Sequence, residues 1–150
     1  MTETTKQIID LIKDQPAITI MATPRGKIRM VASDKKFNWY LKSSDPKKRR
    51  RAEKIKDYFD WCTAVQWLAK EKKYEIGDVI AVEFHLPFPP SYNKKKREKL
   101  AGQPHLLKPD TDNMLKALVD ALAKSDSHIW LKIAWKVWTD GNGKMVIYKI

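Results

Sequence analysis

Asp110 and Asp112, in the stretch KPDTDN at residues 108–113, are carboxylates two residues apart in a chain that is otherwise strongly cationic. One role for such residues is local. An Asp at a helix start accepts backbone N–H bonds and favours the positive end of the helix dipole. The other role is chemical. Side chains at i and i+2 converge on one ion when the backbone bends between them. Carboxylate oxygens are what Mg²⁺ takes, one or two per ion, with water and substrate phosphate completing its shell. Lys116 follows Asp112 by one helical turn, on the same face. Its ammonium makes an ordinary surface pair, or it stabilises the charge that builds on a phosphate during phosphodiester hydrolysis. Asp120 continues that face, but at 1.5 Å per residue it lies about 12 Å from Asp112, beyond the reach of a shared ion. It reads as a surface carboxylate.

The elements around these residues are legible from periodicity and breakers. Residues 3–13 form a short amphipathic helix stopped before Pro16. AITIMAT (17–23) reads as a strand, PRGK as a turn, and IRMVAS (28–33) as its hairpin partner. Asp45 and Pro46 are an N-cap and a first helical residue. Tyr58, Trp61, Cys62, Val65, Leu68 and Ala69 then recur at helical spacing as a core face. VIAVEFHL (79–86) is a central strand, residues 87–109 a long basic loop, and residues 111–124 a second main helix with Met114, Leu115, Leu118, Val119 and Leu122 inward. IWLKIAWKVW (129–138) is a strand, TDGNGK a hairpin turn and MVIYKI the last strand. The order α-β-β-α-β-α-β-β predicts a single α+β domain: one mixed sheet with helices packed on it.

The chain has 150 residues and carries thirty Lys and Arg against eighteen Asp and Glu, a net charge of +12, with a pI near 9.7. That balance points to a polyanion, nucleic acid first, with a merely solvated basic face as the bland alternative and anionic membrane third. One run, Lys47, Lys48, Arg49, Arg50, Arg51 and Lys54, is equally a solvated helix face. A second, Lys94, Lys95, Lys96, Arg97 and Lys99, lies just before the carboxylates and reads as a phosphate contact. Arg25, Lys27 and Arg29 form a weaker third patch. Tyr92 is a candidate for stacking on bases, Phe88 for packing, and His105 for either a phosphate contact or a loop hydrogen bond. The six Trp fall mostly at core-facing spacing and read as packing or dimer-interface residues. Cys62 is the only cysteine, so no internal disulfide or cysteine zinc cluster forms, and it reads as a small buried apolar group. No signal peptide or membrane-length apolar run is present. An intracellular protein without membrane association is expected.

The stretch KPDTDNMLKALVDAL (108–122), followed by SDSHIW (125–130), resembles the RusA family of Holliday-junction resolvases. That family carries an Asp-x-Asp-Asn motif, a Lys one turn later, a helix ending in Asp-Ala-Leu, and a later acidic motif. The upstream FHLPFPPSYNKKKREKLAGQPHLLKP also resembles the strand, Pro-rich turn and basic loop of phage and prophage members. The resemblance spans residues 17–150, leaving 1–16 as an N-terminal helical extension. It implies a homodimeric, Mg²⁺-dependent endonuclease that nicks four-way junction DNA, with Mn²⁺ as a substitute ion. Asp110 and Asp112 are then metal ligands, Lys116 the catalytic lysine, and Asp126 the third acidic ligand. Ser125 stands where the family has a first Asp, and His128 where it has Gln. Two further readings are a non-catalytic binder of branched DNA and a related flap or fork nuclease.

Overall fold

Strict alternation along residues 80–86 gives β2 (Val79–Pro87) two unlike faces. Ile80, Val82, Phe84 and Leu86 are buried in the main core, while Ala81, Glu83 and His85 lie on the opposite face. A computed structural model describes residues 1–150 and builds the rest of the sheet around this strand. β1 (Ala17–Ile20), β3 (Leu131–Thr139) and β4 (Lys144–Tyr148) join it in the order β1-β4-β2-β3. β3 runs parallel to β2, pairing Val79 with Leu131, and β4 lies antiparallel to both β2 and β1.

Two layers cover the sheet. On one face lie α3 (Pro46–Glu71) and α5 (Thr111–Leu122), which bury Val65, Ala69, Met114, Leu118 and Val119 against the strands. α3 starts as its sequence demands, with the Asp45 carboxylate accepting the Lys47 N–H at 2.9 Å and Pro46 in the first turn. On the other face lies α1 (Glu3–Lys13), whose Ile12 packs with Ala81 and Tyr148. There Glu83 is buried and receives Lys13 Nζ at 3.1 Å and the Tyr148 hydroxyl at 2.8 Å. Burial works to raise the Glu83 pKa, but His85, Tyr148 and Lys13 outweigh it and hold it at about 2.

The α+β class and the mixed sheet are as expected from the sequence, and four local expectations are corrected. Residues 28–33 form no strand. The chain runs irregularly to a 3₁₀ helix (Ala32–Lys36) and the short α2 (Phe37–Tyr40), because Asp34 and Arg51 tie it to α3 instead of to β1. The basic loop holds a helix, α4 (Lys94–Leu100), capped by the Asn93 side chain on the Lys96 N–H at 2.9 Å. β3 and β4 form no hairpin, since β2 lies between them. Gly141, at φ +93°, turns the connection across the end of β2. Trp39, Trp67 and Trp130 are exposed, so for half of the tryptophans packing within the chain is excluded and only the dimer-interface expectation stands, and Cys62 is half-buried at the edge of the main core.

Candidate active site

Asp110 is the N-cap of α5. Its backbone is extended (φ −71°, ψ 143°), and its carbonyl accepts the Met114 N–H at 3.1 Å. An Asp in this position ordinarily also accepts an N–H through its side chain. The Asp45 and Asn93 caps do so, and the Asp110 carboxylate makes no such bond. Asp112 follows in the first turn and Lys116 one turn later, both exposed. In a chain with thirty cationic side chains, Asp110, Asp112 and Lys116 take part in no ion pair. The other acids nearby are engaged. Asp120 pairs with Lys27, and Asp126 pairs with Lys132 at 2.8 Å. The Lys132 hydrogen bond and charge, with a smaller contribution from Lys116, hold the Asp126 carboxyl below the usual carboxylate range.

The segment leading to Asp110 is laced to the outer edge of β3. Gly102 N–H donates to the Trp138 carbonyl at 2.9 Å, Trp138 N–H to the Gln103 carbonyl at 3.0 Å, and His105 N–H to the Lys136 carbonyl at 3.0 Å. Lys136 then donates its ammonium to the carbonyls of Leu107 and Pro109, the latter at 2.8 Å. Pro109 directly precedes Asp110, so this lysine sets where the acidic turn begins. His105 is buried, with its ring 3.9 Å from that of Trp138 and its Nδ1 accepting the Leu107 N–H at 3.3 Å. Burial first, and the Lys136 charge second, push its pKa down. Of its two expected roles, the structure gives the loop hydrogen bond.

Lys132 and Lys136 were not singled out by sequence reasoning. The signal existed: in a strand, residues four apart share a face, and Ala134 between them packs on the main core. That face is therefore the α5 side, the side of the acids.

The candidate DNA contacts divide by how far they are already committed. In α4, Lys94, Lys95, Lys96 and Lys99 are exposed, with Lys94 3.9 Å from Glu98. Lys96 Nζ lies 3.6 Å from the centroid of Tyr92, covering one ring face, and Arg97 donates to the Tyr92 carbonyl at 2.9 Å. Tyr92 also contacts the rings of Phe88 and Trp138, so it is a packed residue and not an open platform. Arg25 donates to the Asp57 carbonyl at 2.9 Å, and Lys27 is taken by Asp120. Arg29 is exposed. Lys27 N–H also donates to the Asn113 carbonyl at 3.3 Å, and Gly26 lies so close that a Cβ there would collide with the Asn113 amide. Segment 25–27 thus rests against the residue next to Asp112.

A family model described as endodeoxyribonuclease RusA matches residues 17–147. The chain belongs to that family. A search of curated proteins finds no match. The RusA match includes Asp110, Asp112, Lys116, Asp126 and both β3 lysines, whereas α1 lies outside it and packs on the far face of the sheet. No three His, Cys, Asp or Glu side chains stand close enough to hold one metal ion, so Asp110, Asp112 and Asp126 are not drawn together as a ready three-ligand set. The donors that remain unengaged, Asp110 and Asp112, are hard oxygen ligands of the kind and number that Mg²⁺ takes from a protein. In donor chemistry the site therefore fits a two-carboxylate magnesium centre. No helix of the chain is long and apolar enough to cross a membrane.

Proposed function

We propose that this chain is a Mg²⁺-dependent endonuclease that resolves four-way (Holliday) junctions in DNA recombination and repair, with Mn²⁺ as an alternative ion. The observation that carries the reading is the unengaged trio at the start of α5. Asp110 gives up the side-chain capping bond its position offers, and Asp112 and Lys116 remain unpaired amid a large excess of opposite and like charges. Stability alone favours using those groups, since a cap stabilises a helix by about 1 kcal/mol. Keeping them open favours a ligand instead.

In this reading Asp110 and Asp112 hold the ion, whose chemistry when bound is to polarise the phosphate and acidify a water. Lys116 sits beside the scissile phosphate and stabilises the charge that grows on its oxygens as the water oxygen joins phosphorus and the sugar oxygen leaves. Exposed cations on α4, with Arg29, hold the flanking phosphates. Asp126 is the third acid, available once Lys132 turns to the substrate or to solvent. The protein acts as a homodimer, because a four-way junction offers two symmetric strands and a twofold pair of chains offers each a site.

The Asp126–Lys132 pair favours a second reading, a non-catalytic binder of branched DNA, because it occupies an acid the reaction needs. Strand cleavage in Mg²⁺ and in EDTA, on four-way, three-way and flap substrates, separates the readings. Cutting of the four-way junction in Mg²⁺ alone is expected. Binding without cutting would make the chain a binder, and preferential cutting of flaps would change the substrate class.

A further inference from the structure

The positive charge of this chain is concentrated. Residues 25–54 hold twelve Lys and Arg against three Asp and Glu, which is nine of the net twelve charges in one-fifth of the sequence. A polyanion is drawn first to that segment. In the middle of it a large aromatic ring is left bare: Trp39 is 83% exposed. Exposed Lys35, Lys36 and Lys42 flank it in the chain, and Lys48 Nζ lies 5.5 Å from the ring of its neighbour Tyr40. Met30 and Val31 of the same segment are exposed as well. An isolated surface Leu needs no explanation. An indole is the largest side chain available to the core, and leaving it in water among ammonium groups forgoes that burial.

The segment that carries Trp39 is held firmly from below. Asp34 is buried and takes Arg51 through both carboxylate oxygens, at 2.7 and 3.2 Å, and also accepts the Val31 N–H at 2.9 Å. Arg51 also donates to the Arg29 carbonyl at 2.6 Å, and Phe37 stacks on Phe59 with centroids 5.8 Å apart. The base of the short α2 is thus fixed to α3 while its indole stands in solvent. At the other end, Gly26 and Lys27 rest on Asn113, the residue after Asp112. A bare ring on an ordered support, flanked by exposed lysines and tethered to the acid-bearing helix, has the parts of a base-stacking site.

We propose that Trp39 is a stacking platform for an unstacked nucleobase at the branch point of the DNA, with the exposed, unpaired Lys35, Lys36 and Lys42 that flank it holding the phosphates on either side. The proposal rests on the nuclease reading above and adds to it a means of telling branched from continuous DNA. Bases in an intact duplex are covered by their neighbours and offer the indole no face. Bases freed at a branch offer one, and stacking is indifferent to which base it is.

The test measures binding of the full chain, in EDTA, to a four-way junction carrying 2-aminopurine at the branch and to a plain duplex of equal length. Trp39→Ala is expected to weaken junction binding by about 10- to 100-fold, to leave duplex binding within about twofold, and to abolish the wild-type change in 2-aminopurine fluorescence. Trp39→Phe is expected to restore most of both signals. Equal losses on junction and duplex would overturn the proposal, because the ring would then serve only general affinity. Unchanged DNA binding with an altered oligomeric state in ultracentrifugation would also overturn it, making Trp39 a protein contact. A wild-type chain that binds no DNA sinks this proposal together with the nuclease reading. One that cuts junctions normally with an indifferent Trp39 sinks only this proposal.

Discussion

At the scale of single residues, the site is distinguished by which charges are left alone. Asp120 and Asp126 have lysine partners, and Asp110, Asp112 and Lys116 have none. Asp112→Asn is therefore expected to remove Mg²⁺-dependent cleavage while junction binding in EDTA stays equal or tightens, since one repulsive charge is gone. Wild-type cleavage by this variant would remove Asp112 from the site. The two paired acids separate in the same assay. Asp126→Asn is expected to lose nearly all cleavage, whereas Asp120→Asn keeps most of it, because the Lys27–Asp120 pair is exposed and such pairs contribute little. The reverse ranking would mean that the site is displaced and that Asp126 is not its third carboxylate. That Asp110 and Asp112 stand at a helix start was legible from their spacing. The strand spacing of Lys136 gives its face but not its partners, which are backbone carbonyls twenty-seven and twenty-nine residues away that no local pattern records.

At the scale of elements, β3 does more than pair with β2. It anchors the 102–109 segment through backbone bonds and through Lys136, and it engages Asp126 through Lys132. Lys136→Met is expected to lower the cleavage rate by tenfold or more with junction affinity in EDTA unchanged, because a displacement of about 1 Å in an acid can cost a hundredfold. Lys136→Arg should recover part of the rate by donating to the same carbonyls. A Lys136→Met variant with wild-type turnover would show that the backbone lacing alone suffices. The four strands that form and α3 were legible because alternation and the Asp45-Pro46 start are strong local signals, whereas residues 28–33 read as a strand and form none. α4 was missed because seven mostly charged residues carry no apolar stripe, although Asn93 is a sound cap. The β3–β4 hairpin was misjudged because DGNG is good turn chemistry wherever its strands go. Register is decided by the partner, and Lys144 pairs with His85.

At the scale of the whole molecule, the charged cluster between sheet and α1 makes stability depend on pH. Glu83 titrates near 2 in the folded chain, below its ordinary value of 4.5. A depressed carboxyl contributes stability that is complete above the unfolded pKa and lost as pH falls toward the folded one. The wild type should therefore lose this contribution between about pH 4.5 and 2. Glu83→Gln is expected to be less stable at pH 7 by roughly 2–3 kcal/mol and to lack that acid-dependent decline. Urea unfolding of both proteins across that range measures it, and parallel curves would mean that Glu83 is not ionised as described. This cluster was illegible in the sequence because Lys13, Glu83 and Tyr148 are joined only when the two ends of the chain meet on one face of the sheet.

The position of β4 bears on how the chain is made. β1 has no neighbour in the sheet except β4, and β4 is the last strand to be translated. Residues 17–20 are made well before residues 144–148 and must wait for them before their backbone groups find partners. In the interval β2, α5 and β3 can assemble as a parallel unit, while β1 remains an apolar ribbon without a ladder. Placing β4 between two strands separated by fifty-eight residues of chain is a non-local closure of the kind that slows folding. A nascent chain arrested before residue 144 is accordingly expected to be cut by protease at β1 while residues 79–139 resist. For the cell, this fold is completed only after translation has passed its last strand.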